Sequence, residues 1–216
     1  MDEMEFEPLM ETAKQLVSPP RGILAADEST GTIERRFASI NVESAEQTRP
    51  DYREMLFRTP GIAEYISGVL LFDETIRQAA GDGTPLVKLL QDSDPIPGIK
   101  VDRGTHLLLE SRGELITEGV DGLRGRLVEY CEIGARFTKW RAMIGIGANL
   151  PSANCTETNA HALGRFAALS QEVGPVPIVE PEVLIEGDHD TDRCYLASEA
   201  TMQEVFDQLY RQRVIF

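Results

Sequence analysis

Short apolar runs alternate with amphipathic helical stretches along this chain, and this alternation limits the fold more than any other feature. The runs that indicate strands cover residues 22–26, which end at Asp27, 66–72, which end at Asp73, and 97–102, 136–146 and 176–184. Helical patterns cover residues 6–17, a stretch opened by a Ser44/Gln47 capping box, the region of residues 123–131, residues 158–172 and a segment from about residue 198. Strands that alternate with helices predict a parallel α/β sheet. Because no repeat or low-complexity linker is visible, we expect one domain over residues 1–216.

Charged side chains interrupt the expected strands in a regular way. Pairs two residues apart are Lys100 with Asp102, Lys139 with Arg141, and Glu180 with Glu182, and Asp27 ends the first strand. Successive side chains of a strand point to opposite faces, so both members of each pair lie on one face. In a closed barrel the inward faces meet in one pocket near the carboxyl ends of the strands, where barrel enzymes keep their chemistry. The pattern therefore predicts an acid/base cluster in such a pocket.

Each of these charged residues also has a structural interpretation. A strand-end charge can reach solvent, and a buried charge can belong to an ion pair that only stabilises the fold. Asp73 and Asp102 can each simply cap the turn or helix that follows. The same pattern on five expected strands favours the functional interpretation.

Composition narrows the function classes. The net charge is −15, and no basic stripe interleaved with aromatic residues points to a nucleic acid. No apolar run approaches the roughly 18 residues that span a membrane, and the acidic N-terminus lacks the features of a secretory signal. The widely spaced Cys131, Cys155 and Cys194 indicate reduced thiols in packing positions. We therefore expect a cytoplasmic protein with neither a nucleic-acid partner nor a membrane partner.

Five segments carry a family resemblance. They are GILAADESTG at 22–31, GIKVDRG at 98–104, FTKWR at 137–141, VPIVEPE at 176–182 and GDHD at 187–190. In order and spacing they resemble the Schiff-base-forming, class I fructose-bisphosphate aldolases. The resemblance implies a (β/α)8 TIM barrel, of which this chain supplies roughly the first five βα units. It also implies reversible cleavage of fructose 1,6-bisphosphate to dihydroxyacetone phosphate and glyceraldehyde 3-phosphate, without a cofactor or metal.

The resemblance implies catalytic roles for four residues. Asp27 matches an aspartate that assists at the C4 hydroxyl and orients nearby lysines. Glu180 matches the general acid/base of imine formation. Lys139 matches a lysine whose positive charge supports carbinolamine chemistry. Glu182 matches a second carboxylate of the same pocket.

The resemblance also implies substrate-binding roles. Lys100 and Arg141 match positive groups of the pocket. Ser29, Thr32 and Arg36 match a region that receives a phosphate, a task that suits hydroxyl donors and a guanidinium. The residues alone favour a more ordinary interpretation, in which Arg36 is part of a solvated helix face and Ser29 is a helix cap.

One family feature does not occur in these 216 residues. The imine-forming lysine of the family lies on a sixth strand, in a segment resembling E-G-x-x-L-K-P, and the chain contains no such segment. We therefore expect a barrel domain that is incomplete at its C-terminus, as a fragment or a truncated product. The alternative to the family activity is a catalytically inactive aldolase-like scaffold. Full-length members of the family are commonly homotetramers.

A metal-dependent aldolase is the alternative enzyme class. Those enzymes polarise the enolate with a zinc ion that several histidines hold. This chain has only His106, His161 and His189, which are widely separated. The histidine spacing therefore favours the lysine-dependent chemistry.

Overall fold

The computed structural model describes residues 6–109, 111 and 113–216. Its helices are α1 (Glu7–Leu16), α2 (Thr30–Ala38), α3 (Thr48–Phe57), α4 (Ile62–Tyr65), α5 (Asp73–Ile76), α6 (Leu86–Asp92), α7 (Leu123–Ile133), α8 (Ala153–Val173) and α9 (Thr191–Arg211). Its strands are β1 (Gly22–Ala26), β2 (Ile66–Leu71), β3 (Ile96–Lys100), β4 (Thr105–Leu107), β5 (Leu115–Thr117), β6 (Phe137–Ile144) and β7 (Val176–Val183). No helix in the described part of the chain is long and apolar enough to cross a membrane.

The five strands expected from the apolar runs form one sheet, in the order β1-β2-β3-β6-β7. β1 pairs with β2 in parallel, and β2 pairs with β3 in parallel. Strand order therefore follows chain order, with helices in the crossovers. This is the arrangement of part of a (β/α)8 barrel, so the predicted fold class is confirmed.

Several boundaries differ from the sequence-based expectations. The prediction that a Ser44/Gln47 capping box opens a helix is wrong, because α3 begins only at Thr48 and Gln47 makes no side-chain cap bond. The Thr48 hydroxyl instead accepts from the Ala45 N–H at 2.9 Å and orders the preceding turn. Helix α9 begins at Thr191, earlier than expected, because the Asp190 carboxylate accepts the Arg193 N–H at 2.8 Å as an N-cap. The antiparallel hairpin of β4 and β5 was not predicted at all.

By backbone contacts the chain divides into two compact units. The first contains residues 1–100, 128–138 and 174–176, and the second contains residues 101–127, 139–173 and 177–216. The prediction of a single domain over residues 1–216 is not tested by this division and stays a prediction.

The core of the first unit explains two glycines in its strands. Phe137 at the start of β6 is completely buried, and its ring lies against Gly68 of β2 and Gly98 of β3. A Cβ atom on Gly98 would lie 2.4 Å from the Phe137 ring, which no side chain can tolerate. Gly98 belongs to the GIKVDRG segment of the family resemblance. Packing rather than chemistry therefore accounts for the glycine in this motif.

Replacing Gly98 with alanine is expected to destabilise the protein by about 1–3 kcal/mol, because the aromatic ring and the strand must move apart. Chemical denaturation of the full-length gene product measures this. Gly22→Ala is the matched control, since Gly22 is also in a strand and nothing lies within 4 Å of its added Cβ. A Gly98→Ala variant as stable as the Gly22→Ala variant would contradict the packing explanation.

In the second unit, α8 anchors the surrounding elements. Phe166 of α8 packs on Trp140 of β6 with ring centroids 5.7 Å apart. The buried Glu114 carboxylate accepts from the Ser152 backbone N–H at 2.7 Å and from its hydroxyl at 2.6 Å, directly before α8. Asn159 donates to the Leu115 carbonyl at 2.8 Å. These bonds tie the β4–β5 hairpin to α8 and satisfy buried polar groups.

Candidate active site

Along strand β6, fully buried side chains alternate with partly buried ones. Thr138, Trp140, Ala142 and Ile144 are fully buried, whereas Lys139 and Arg141 are only partly buried. The sequence predicted that Lys139 and Arg141 share one face with Thr138 and Trp140 opposite, and the burial pattern confirms it. The apolar face of the strand packs against α8, and the opposite face carries two cations.

Each of these cations meets a carboxylate of β7 in the second unit. Lys139 Nζ lies 3.4 Å from Glu180 Oε2, with the lysine side chain 11% exposed and the glutamate side chain 37% exposed. Glu180 Oε2 itself is buried and accepts no hydrogen bond from the residues that the structure describes. The pair is therefore a contact between charges, without the alignment of a hydrogen bond. A carboxylate oxygen in this state can take or give a proton without first breaking a hydrogen bond.

Arg141 and Glu182 form the neighbouring pair. The Arg141 Nε donates to Glu182 Oε2, and both side chains are 38% exposed. The hydrogen bond that Arg141 donates to Glu182 raises the pKa of Arg141, and the nearby charges of Glu182, Glu180 and Asp102 raise it further. The Asp102 carboxylate also lies 3.5 Å from the Arg141 backbone nitrogen. Arg141 is thus a fixed cation among three carboxylates.

Asp27 and Lys100 lie at strand ends in the first unit. The register aligns Ala26 with Leu71 and Leu71 with Ile99. Asp27 and Lys100 each follow this aligned row by one residue, so they lie at the same carboxyl edge of the sheet. Asp27 is 8% exposed, which is unusual for an aspartate and is typical of a carboxylate with a specific task.

The expected phosphate-binding residues lie around the start of α2, also in the first unit. The Ser29 and Thr32 hydroxyls are 3.1 Å apart, and Arg35 Nη2 donates to Thr32 Oγ1 at 3.3 Å. Ser29 occupies the N-cap position, but its side chain makes no hydrogen bond to the helix N-terminus. The interpretation of Ser29 as a helix cap would require such a bond. The Arg36 side chain is 60% exposed and its Nη1 pairs with Glu28. The segment therefore combines hydroxyls, guanidiniums and a helix N-terminus, all of which suit an anion.

Sequence reasoning missed two residues of this region. Glu28 and Arg53 form an ion pair at 2.6 Å, and their side chains are 7% and 3% exposed. Arg53 lies on α3, in a stretch that reads as an ordinary amphipathic helix. Only the spacing within the helix, which turns Arg53 to the same side as the buried Phe57, could have indicated a buried arginine.

Two of the three cysteines, Cys155 and Cys131, have the surroundings of packing residues. Cys155 is completely buried, and burial, together with Glu114, raises the pKa of its thiol to about 11. Burial also raises the pKa of the Cys131 thiol. A raised pKa keeps a thiol protonated and unreactive near neutral pH.

Comparison with known proteins places the chain in a family. A family model described as class-I fructose-bisphosphate aldolase matches residues 8–216. The chain therefore belongs to the class I fructose-bisphosphate aldolase family, as the motifs of its strands predicted.

Individual relatives agree with this assignment. A protein of Xanthomonas campestris named probable fructose-bisphosphate aldolase class 1 is 55% identical over 98% of this chain. Cytosolic fructose-bisphosphate aldolase 5 of Arabidopsis thaliana is 50% identical over 96% of it. A solved structure of Plasmodium falciparum fructose-bisphosphate aldolase, in complex with TRAP and a small-molecule inhibitor, superposes with a TM-score of 0.97 at 40% identity over 99% of this chain. The chain spans 64%, 58% and 62% of the lengths of these three proteins.

Proposed function

We propose that this protein takes part in the reversible cleavage of fructose 1,6-bisphosphate to dihydroxyacetone phosphate and glyceraldehyde 3-phosphate through a lysine imine. The amine of a lysine on a sixth strand adds to the substrate ketone and releases water. The protonated imine then accepts the electron pair of the C3–C4 bond as that bond breaks, which leaves an enamine. The C4 hydroxyl loses its proton and becomes the aldehyde of glyceraldehyde 3-phosphate. A proton then adds to C3 of the enamine, and water hydrolyses the resulting imine, which releases dihydroxyacetone phosphate and restores the lysine amine.

In this proposal the described residues supply proton transfer, positive charge and the binding of one phosphate. Glu180 moves protons during imine formation and release, and Lys139 stabilises the developing negative charge as a cation. Asp27 assists at the C4 hydroxyl. Glu182 holds Arg141, which with Lys100 offers positive charge to the substrate. Ser29, Thr32 and Arg36 bind a phosphate.

The contact of Lys139 with Glu180 carries the proposal. A carboxylate oxygen that is buried, beside an ammonium group and without a hydrogen bond is suited to repeated proton transfer. Glu182 pairs with the neighbouring Arg141 through a hydrogen bond, so two strands present a row of paired opposite charges. The family membership adds the reaction type, and the relatives' names add the substrate.

Borohydride trapping of the full-length gene product tests the proposal. With fructose 1,6-bisphosphate present, reduction of the imine is expected to join the substrate's carbon skeleton covalently to one lysine, which peptide mass spectrometry identifies. Pretreatment with EDTA is the control that separates this chemistry from the zinc-dependent class. A protein that cleaves the sugar but yields no adduct, or that loses activity to EDTA, would contradict the imine.

A catalytically inactive scaffold is the second candidate, and the same experiment distinguishes it, because it predicts neither cleavage nor an adduct. The lysines of the described strands are Lys100 and Lys139, and both have proposed roles as cations, which favours this candidate for the isolated polypeptide 1–216. We also propose a cytoplasmic location, which the names of the cytosolic Arabidopsis relatives support. A homotetramer is proposed for the full-length protein, and sedimentation velocity would test it.

A further inference from the structure

A cluster of two arginines and one glutamate adjoins the start of α2. Arg53 Nη1 lies 2.6 Å from Glu28 Oε2 as an ion pair, and neither of these two atoms makes a hydrogen bond with the described residues. Arg53 Nη2 donates to the Glu28 carbonyl at 3.3 Å and holds the two residues together. The other carboxylate oxygen of Glu28, Oε1, accepts from Arg36 Nη1. Glu28 therefore bridges a buried guanidinium and an exposed one, with a different oxygen for each.

The burial of the three side chains is strongly unequal. Arg53 and Glu28 are 3% and 7% exposed, whereas Arg36 is 60% exposed. A buried ion needs a close partner of opposite charge, and Arg53 and Glu28 meet this need for one another. The cluster contains two guanidiniums and one carboxylate, so it has one positive charge in excess. Because Arg36 is the exposed side chain, a ligand can reach this charge at Arg36.

We propose that Arg53 is a positioning residue for Arg36. By neutralising and fixing the Glu28 carboxylate, Arg53 lets one oxygen of Glu28 orient the Arg36 guanidinium without cancelling its attraction for a phosphate. Without Arg53, Glu28 pairs one-to-one with Arg36 and competes directly with the ligand. The inference rests on the proposed function only in taking a sugar phosphate as the ligand of Arg36.

The hydroxyls next to Arg36 fit the same ligand. Ser29 and Thr32 face one another at 3.1 Å, and Thr32 lies one helical turn before Arg36 on α2. Arg35 contacts Thr32 and adds a second cation to this side of the helix. A phosphate takes both guanidinium and hydroxyl donors, and a fixed guanidinium binds it more strongly than a mobile one.

Substitution of Arg53 in the full-length gene product tests the inference. Arg53→Met is expected to raise the KM for fructose 1,6-bisphosphate about ten- to hundredfold, the scale of one charged hydrogen bond, with kcat at saturation within about threefold. Arg53→Lys keeps the charge and is expected to restore most of the affinity. The double variant Arg53→Met/Glu28→Gln removes the competing carboxylate, so it is expected to bind more tightly than Arg53→Met alone.

Titration with inorganic phosphate by calorimetry gives a readout that does not depend on turnover. The affinity for phosphate is expected to fall in Arg53→Met and to recover in the double variant. The double variant also lacks the unpaired buried charge of Glu28, so it can be measured even if Arg53→Met does not fold. Arg124→Met is the control, because Arg124 makes a comparable pair with Glu172 that is exposed on both sides.

The outcomes separate this inference from the proposed function. Cleavage of the bisphosphate with an unchanged KM in Arg53→Met would overturn the inference and leave the function standing. Loss of phosphate affinity in Arg53→Met, in a protein that does not cleave the sugar, would support the inference and remove the function. A double variant no tighter than Arg53→Met would overturn the charge-competition explanation.

Discussion

Replacing Glu180 with glutamine is expected to lower kcat about 10²- to 10⁴-fold, the usual contribution of a general acid/base. The KM should change little, because the amide keeps the size of the side chain. The substitution also removes the negative charge 3.4 Å from Lys139 Nζ, where the amide oxygen remains as a neutral acceptor. Steady-state kinetics and borohydride trapping on the full-length gene product measure the effect, since slower imine formation also slows the appearance of the adduct.

Two further variants make this result specific. Glu172→Gln removes a carboxylate that is about half exposed and pairs with Arg124, so it is expected to leave kcat unchanged. Lys139→Met removes the cation that contacts Glu180 and is expected to lower kcat. The double variant with Glu180→Gln is not expected to restore kcat, because the two groups act together. Turnover like that of the wild type in Glu180→Gln would remove Glu180 from the mechanism.

Much of the fold was predictable because two periodicities act together. The apolar runs fixed the five strands to within a few residues, and β1 was predicted exactly, as Gly22–Ala26. Period two on β6 correctly separated Lys139 and Arg141 from the core face. The partnership of Lys139 with Glu180 and of Arg141 with Glu182 then follows from two neighbouring parallel strands with the same spacing of charges.

What the sequence did not predict depends on contacts between distant segments. The β4–β5 hairpin is only three residues long on each side, too short for an alternating pattern, and a buried carboxylate, Glu114, attaches it to α8. Arg53 sits in a stretch that looks like a solvated helix face, and only the position of Glu28 makes it a buried ion. Glu28 and Arg53 are 25 positions apart, so the helical spacing can place Arg53 on the buried side but no local pattern reveals its partner. The roles of the individual site residues stay predictions until variants are measured.

The polypeptide 1–216 on its own is expected to show no measurable cleavage of fructose 1,6-bisphosphate and no cooperative melting. Among the described strands, β1 and β7 each have a neighbour on one side only. Residues Gly22, Ile23 and Ala25 of β1 are exposed and all of β7 is half-buried, whereas β2 is almost completely buried. Unpaired strand edges invite pairing between chains, and closing a TIM barrel needs eight strands with matched tilt and stagger.

The surface of α9 and the chemistry lead to the same expectation. Tyr195, Met202, Phe206 and Tyr210 form an exposed apolar stripe along α9, which favours aggregation when nothing covers it. Lys139 is the obvious replacement nucleophile, but its proposed role is that of a cation beside Glu180, and a protonated amine has no lone pair for attack on a ketone. Binding of a hydrophobic dye, the width of the calorimetric transition and a coupled assay of cleavage check the expectation. The Xanthomonas campestris relative serves as the paired control, once intact and once cut to the matching 64% of its length. A monomeric, sharply melting 1–216 that cleaves the sugar would show that five strands suffice and that a lysine within them forms the imine.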